Sequence, residues 1–177
     1  PLYAKRWDFE LPLNHSQPLD APGRPPAHRD FLRSHDALVG EIPDEAPRWI
    51  RRHNYYLNCL RDADRNIAAI LAEIDAAGLA DSTIIVLTAD HGDMDAAHRL
   101  HAKGAVSYRE QNNVPLIVSH PAYAGGRQCR AITSHVDIAP SLVALTGVDR
   151  VKRAGIVKGL PGRDFSEIGR ASCRERV

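Results

Sequence analysis

In Thr83-Ile-Ile-Val-Leu-Thr-Ala-Asp-His-Gly-Asp-Met94 a run of β-branched and apolar residues passes directly into acids, a histidine and a glycine. Thr83 to Ala89 shows no polar alternation, the pattern of a strand buried on both faces as in a parallel sheet. Ligand sites in open α/β sheets form just beyond the carboxyl ends of such strands. Asp90 and His91 stand at that end, and a carboxylate and a neutral imidazole can share one divalent cation. Gly92 permits close backbone approach. The same residues also fit a bland loop, with Asp90 as a helix cap, His91 on the surface, and Asp93 and Asp95 complementing a helix dipole. His98 and His101 are spaced like a zinc pair, but no clear third and fourth ligands accompany them. Lys103 alone reads as a solvated charge. Local chemistry leaves metal site and loop level.

Val114-Pro-Leu-Ile-Val-Ser119 reads as a second strand, its proline near the start, where a strand tolerates one. Upstream, Trp49, Tyr56, Leu60, Ala63, Ile67, Ile70, Leu71 and Ile74 recur at the spacing of an amphipathic helix over 48–78. Asp44 lies just before it, Pro47 suits its first turn, and Gly78 ends it. Val136 to Leu145 predicts a short helix with Ile138, Leu142 and Leu145 on one face. This alternation predicts an α/β layered domain with a mostly parallel sheet flanked by helices. Residues 1–47 hold 8 of the 12 prolines, so extended, irregular chain is expected there, on the substrate side of a larger body.

The 177 residues are 44% hydrophobic and 25% charged, which excludes a disordered tail or a collagen-like rod. No stretch approaches the roughly 18 apolar residues of a membrane helix, so no membrane segment is expected. With 23 basic and 22 acidic residues the net charge is +1, and no electrostatic footprint for nucleic acid results. Three cysteines are too few for a disulfide scaffold. The chain opens at Pro1 without an initiator Met, and Ile168-Gly-Arg-Ala-Ser-Cys-Arg-Glu-Arg-Val177 resembles a translated sequencing-library adapter. The expectation is a truncated fragment in three segments: the proline-rich 1–47, a globular 48–166, and a non-native tail over 167–177.

Thr88-Ala-Asp-His-Gly-Asp-Met94, His98-x-Leu100, Lys103-Gly104, Tyr108-Arg-Glu110 and Val114-Pro-Leu-Ile-Val118 together resemble the sulfatase family of the alkaline phosphatase superfamily. Ser134-His-Val-Asp137, running on to Gly147, and Leu160-Pro-Gly-Arg-Asp164 fit the segments that follow in that family. Asp-His-Gly recurs across the superfamily, whereas the Lys-Gly and Val-Pro-Leu-Ile spacing is specific to sulfatases. The resemblance covers about residues 50–165 and implies the C-terminal part of the catalytic domain, a partial alkaline phosphatase-like layered fold.

The resemblance implies a hydrolase of sulfate esters. Asp90 and His91 match the family's metal-binding pair for one divalent cation, usually Ca2+, with Mg2+ or Mn2+ as alternatives. Lys103 matches the catalytic lysine that contacts sulfate oxygens, and His98 is a weaker substrate-binding candidate. The family's nucleophile is a formylglycine made from a C/S-x-P-S-R motif, which neither Cys59 nor Cys129 carries. That motif, the first two aspartate ligands and an H-x-P-(H/Y) histidine are expected upstream of Pro1. Calcium takes 6–8 oxygen ligands, so two or three donor atoms here imply weak binding and no turnover by the fragment alone. A phosphodiesterase or phosphonate monoester hydrolase of the same superfamily, and a catalytically silent fragment, are the alternatives.

Overall fold

The computed structural model describes residues 10–41 and 43–169. Most of the suspected adapter tail, from residue 170 on, lies outside the described residues. The chain forms two compact units, one of residues up to Ala76 with His91–Pro115, the other of Ala77–Asp90 with the residues from Leu116 on.

The first unit holds α1 (Ala27–Val39), α2 (Ala46–Ala76) and the single turn α3 (Arg109–Asn112). Helix α1 corrects the reading of 1–47 as extended chain throughout. The segment's prolines fall on either side of the helix, with Pro26 at the N-cap, where a missing N–H costs nothing, and none falls within it. Gly40 closes α1 by donating its N–H to the Asp36 carbonyl at 2.9 Å. Helix α2 forms where the periodicity predicts it. Its N-terminal half buries Trp49, Asn54 and Asn58, while Ile70 and Leu71 farther along stand exposed. Asn54 and Asn58 stay satisfied by bonding back one turn, Asn54 Nδ2 to the Ile50 carbonyl (3.1 Å) and Asn58 Nδ2 to the Asn54 carbonyl (2.7 Å). The core of this unit is Met94, Ala97, Leu100 and Val106, packed by Leu19, Phe31, Leu32 and Tyr108. Burying each of its larger side chains contributes roughly 1.5–3 kcal/mol, so the loop between His91 and Val106 is itself core.

The second unit holds β1 (Ile85–Thr88), β2 (Leu116–Ser119), α4 (Ile138–Leu145) and α5 (Arg150–Ile156). The strands pair antiparallel, with Val86 opposite Val118 and Leu87 opposite Ile117. The expected mostly parallel sheet is therefore not what the described strands form. Parallel neighbours need a crossover, usually a helix, and the longest helix between β1 and β2 is the four-residue α3. β1 is half-buried along its length and β2 largely exposed, so neither strand is buried on both faces. Helix α4 follows a 3-10 turn, His135–Asp137, which itself starts from a capping box of Ser134 and Asp137. The fully buried Ser141 donates its hydroxyl to the Asp137 carbonyl (2.6 Å) and accepts the Phe165 N–H (2.8 Å). Asp149 caps α5 by accepting the Val151 and Lys152 N–H groups. Among the described residues no helix is long and apolar enough to cross a membrane.

Candidate active site

Asp90 leaves the end of β1 and is exposed. The exit of that strand is held by His135, whose Nε2–H donates to the Ala89 carbonyl at 2.8 Å. Asp137, two residues on, accepts the Arg163 N–H (2.7 Å) and the Ser134 N–H (2.8 Å). These two backbone donors, Arg163 first, hold its carboxyl below the usual carboxylate range. The Ser-His-x-Asp segment thus secures the strand end and the start of α4, roles that its sequence alone did not assign.

In the other unit, His91 and Lys103 meet although 12 residues separate them. The His91 ring donates Nδ1–H to the Gly92 carbonyl at 2.8 Å, which leaves the Nε2 lone pair to accept from the Lys103 ammonium at 2.5 Å. Only the Nδ1–H tautomer of neutral imidazole makes both bonds. Gln111 fastens the turns carrying these two residues. Its carbonyl accepts the Gly92 N–H (2.7 Å), and its side chain brackets Gly104, accepting the N–H (2.9 Å) and donating to the carbonyl (3.1 Å) and to that of Val106 (2.9 Å). Both glycines are needed for space. A Cβ at Gly92 would strike the Glu110 carbonyl, and one at Gly104 the Phe31 ring. Gln111 carries no motif signal, because its role is a backbone clamp visible only in three dimensions.

The loop between them is strained. Asp95, Ala96, His98, Arg99 and Ala102 all take positive φ (37°, 76°, 54°, 59° and 61°), a conformation costing of order 1 kcal/mol or more for each non-glycine residue. Surrounding contacts impose it. Asp93 Oδ1 accepts the N–H groups of Asp95 (2.8 Å) and Ala102 (3.1 Å) and faces Arg52 at 3.7 Å. Asp95 pairs with His53, and burial pushes its carboxyl up, with His53 opposing the shift. Burial also raises Tyr56, and Asp93 and Asp95 add to it. Asp93 and Asp95 are therefore organisers of the loop rather than the helix-start acids they resemble.

His98 makes its contacts within this loop frame. Its ring stacks on Tyr108 at 3.9 Å, Nδ1–H donates to Gln17 Oε1 (3.0 Å), and Nε2 accepts from Asn14 Nδ2 (3.1 Å). The Arg24 guanidinium donates to its carbonyl. The proline-rich segment thus supplies Asn14, Gln17 and Arg24 as supports that composition did not reveal. His101 is buried beneath the loop, edge-on to His35 at 4.2 Å and 5.8 Å from Trp49. Burial pushes His101 down to about 4, with His35 and Arg52 adding to the shift and Asp93 opposing it. Cys59 is half-buried and Cys129 exposed, both as free thiols.

Among known proteins, the Sulfatase family model matches residues 12–148. The chain belongs to the sulfatase family. It is 27% identical over 143 residues to the uncharacterized sulfatase YidJ of Escherichia coli K12, covering 81% of this chain and 27% of that protein. It is 31% identical over 126 residues to arylsulfatase K of Xenopus laevis, covering 71% of this chain and 22% of the relative. An ulvan-active sulfatase of Formosa agariphila is 27% identical over 152 residues. This sulfatase-family chain therefore spans about a quarter of the length of the curated relatives it matches. A solved structure from the metabolism of multiple glycosaminoglycans by Bacteroides thetaiotaomicron superposes with a TM-score of 0.64 at 22% identity, over 85% of this chain and 31% of that one. That likeness places the sulfatase-family chain in the same fold. The family match begins at residue 12, so it takes in the proline-rich segment as well as the Asp90-to-Lys103 region.

Proposed function

We propose that this chain is part of a hydrolase of sulfate esters, in which Lys103 steadies charge on the sulfuryl group and Asp90 with His91 hold a divalent cation. The observation that carries the reading is the Lys103–His91 pair clamped through Gln111. An ammonium has three N–H donors. One is engaged by His91 Nε2, and two remain for sulfate oxygens. As the ester S–O bond breaks, negative charge gathers on the leaving oxygen and the sulfuryl group. A fixed ammonium stabilises that charge more in the transition state than in the ground state.

The donor set fits a cation in part. Asp90 offers carboxylate oxygens, and the Gly92 carbonyl commits His91 Nδ1–H, leaving Nε2 as the ligand atom. That lone pair could serve either Lys103 or a cation but not both, so with His91 as a ligand all three Lys103 N–H donors would be available to substrate. Held by Asp90 and His91, a cation (Ca2+, with Mg2+ or Mn2+ as alternatives) would supply Lewis-acid polarisation of a sulfuryl oxygen. Calcium's preference for 6–8 oxygens requires further ligands beyond this pair, and the nucleophile, a formylglycine from C/S-x-P-S-R, is also to be sought upstream of Pro1. On this reading the chain alone is inactive. His98 is carried as a secondary substrate contact, which substrate reaches by displacing Gln17 or Asn14 from its ring.

The test is to assay the chain, extended upstream in its own reading frame, against an aryl sulfate, a phosphonate monoester and a phosphodiester. Metal-dependent turnover highest on the aryl sulfate supports the reading. Preference for either phosphorus ester would move the enzyme to its superfamily neighbours, and turnover unaffected by Asp90→Ala would remove the metal assignment.

A further inference from the structure

His91, His98 and Lys103 have places in the proposed site, whereas His101 has none beyond an incomplete zinc spacing. The fold supplies what the spacing lacked. His35 and Asp36 lie near the C-terminal end of α1, and one ligand atom from each of His35, Asp36 and His101 falls within 4.8 Å of the others. An Asp36 carboxylate oxygen stands 3.8 Å from His101 Nε2 and 3.9 Å from His35 Nδ1. His101 is 2% exposed. The His35 Nδ1 that faces Asp36 is enclosed, with no hydrogen-bond partner among the described residues. Native proteins rarely leave enclosed imidazole nitrogens in this state without a use for them.

We propose that His35, Asp36 and His101 form a binding site for a transition-metal dication of the Zn2+ or Co2+ type. Two imidazoles and one carboxylate suit such borderline ions and disfavour Ca2+ and Mg2+, which want oxygen cages. Ligands about 2.0–2.1 Å from one tetrahedral ion stand roughly 3.4 Å apart, so modest side-chain rotation closes the set. A water or an added ligand takes the fourth position. Arg52, a guanidinium acting on His101, faces the Asp93 carboxylate at 3.7 Å, which offsets its charge. His101 lies between Arg99 and Ala102, both at positive φ, so an ion here fastens the strained loop carrying Lys103 to α1. The site differs from the Asp90–His91 pair in residues and in preferred ion, and it stands whether or not that pair binds calcium.

The experiment is equilibrium dialysis of the full chain against Co2+ and Zn2+ with metal analysis, read together with the visible absorption of bound Co2+. The expected result is one equivalent with bands of a low-coordinate nitrogen–oxygen site. Excess Ca2+ leaves it in place, and affinity falls about tenfold or more in His35→Gln and in Asp36→Asn. Because His35 and Asp36 are only part-buried helix residues, far-ultraviolet circular dichroism checks that these variants fold. Asp90→Ala and His135→Gln, the latter a control for histidines elsewhere, retain the equivalent. Absence of stoichiometric binding to the wild-type chain overturns the proposal, as does unchanged binding in folded His35→Gln. Loss of the ion in Asp90→Ala with retention in His35→Gln also overturns it and assigns the ion to the Asp90–His91 pair.

Discussion

Lys103 and His91 illustrate how much chemistry one tautomer decides. With Nδ1–H spent on the Gly92 carbonyl, only the Nε2 lone pair remains; it accepts from Lys103 here, and on the proposed function it is the atom a cation would take. In the upstream-extended enzyme Lys103→Ala is expected to lower kcat by ~10²–10³ with circular dichroism unchanged, and an unaltered kcat removes Lys103 from the reaction. The space around the clamp gives a second expectation. Gly104→Ala drives a methyl group into the Phe31 ring, and overpacking of this kind costs about 1–3 kcal/mol. Urea unfolding should show that loss, and Phe31→Leu in the same chain should recover part of it, because residues in contact do not add independently. Full additivity would mean the ring is not what the methyl meets. Asp90, His91 and Lys103 are proposed as site residues from motif spacing, a signal that survives without a fold. Gln111, Asn14 and Gln17 were not legible in this way, since their hydrogen bonds join positions with no periodic or motif relation.

At the level of elements, helix α2 was legible from its apolar period and the strands from β-branched apolar runs, whereas strand direction and the exposure of β2 were not. A run such as Thr83 to Ala89 looks the same in a parallel and an antiparallel ladder, and only the connection that follows chooses between them. Helix α1 was hidden by averaging proline over 47 residues when the prolines in fact flank it. The capping box before α4 makes a prediction about pH. Backbone donors hold the Asp137 carboxyl below its ordinary value, so the stability it contributes is present above the unfolded aspartate value of about 4 and is lost as pH falls through the lower folded one. Asp137→Asn should therefore lower the melting temperature at pH 7, and the gap to the wild-type chain should narrow as pH drops from 5 toward 3. A gap that stays constant with pH would show that the charge on Asp137 does not matter.

Across the whole molecule, a family match over residues 12–148 coexists with only about a quarter of the relatives' length. On the proposed function the chain carries Lys103 and part of a metal site, without the C/S-x-P-S-R nucleophile motif anywhere in its 177 residues. Purified alone, it should give no hydrolysis of an aryl sulfate above background with any added divalent ion, and measurable metal-dependent turnover by the chain alone would refute the division of labour proposed. On the proposed function, the apolar side chains exposed on β2, Ile117 and Val118, would suit a sheet edge that pairs further. The most direct test of the central claim is to read the DNA upstream of the codon for Pro1 in the source of this sequence. The account predicts an in-frame C-x-P-S-R or S-x-P-S-R, preceded by an aspartate pair. A lone threonine or serine nucleophile in that frame would contradict it, making the chemistry phosphoryl transfer and requiring a different role for Lys103.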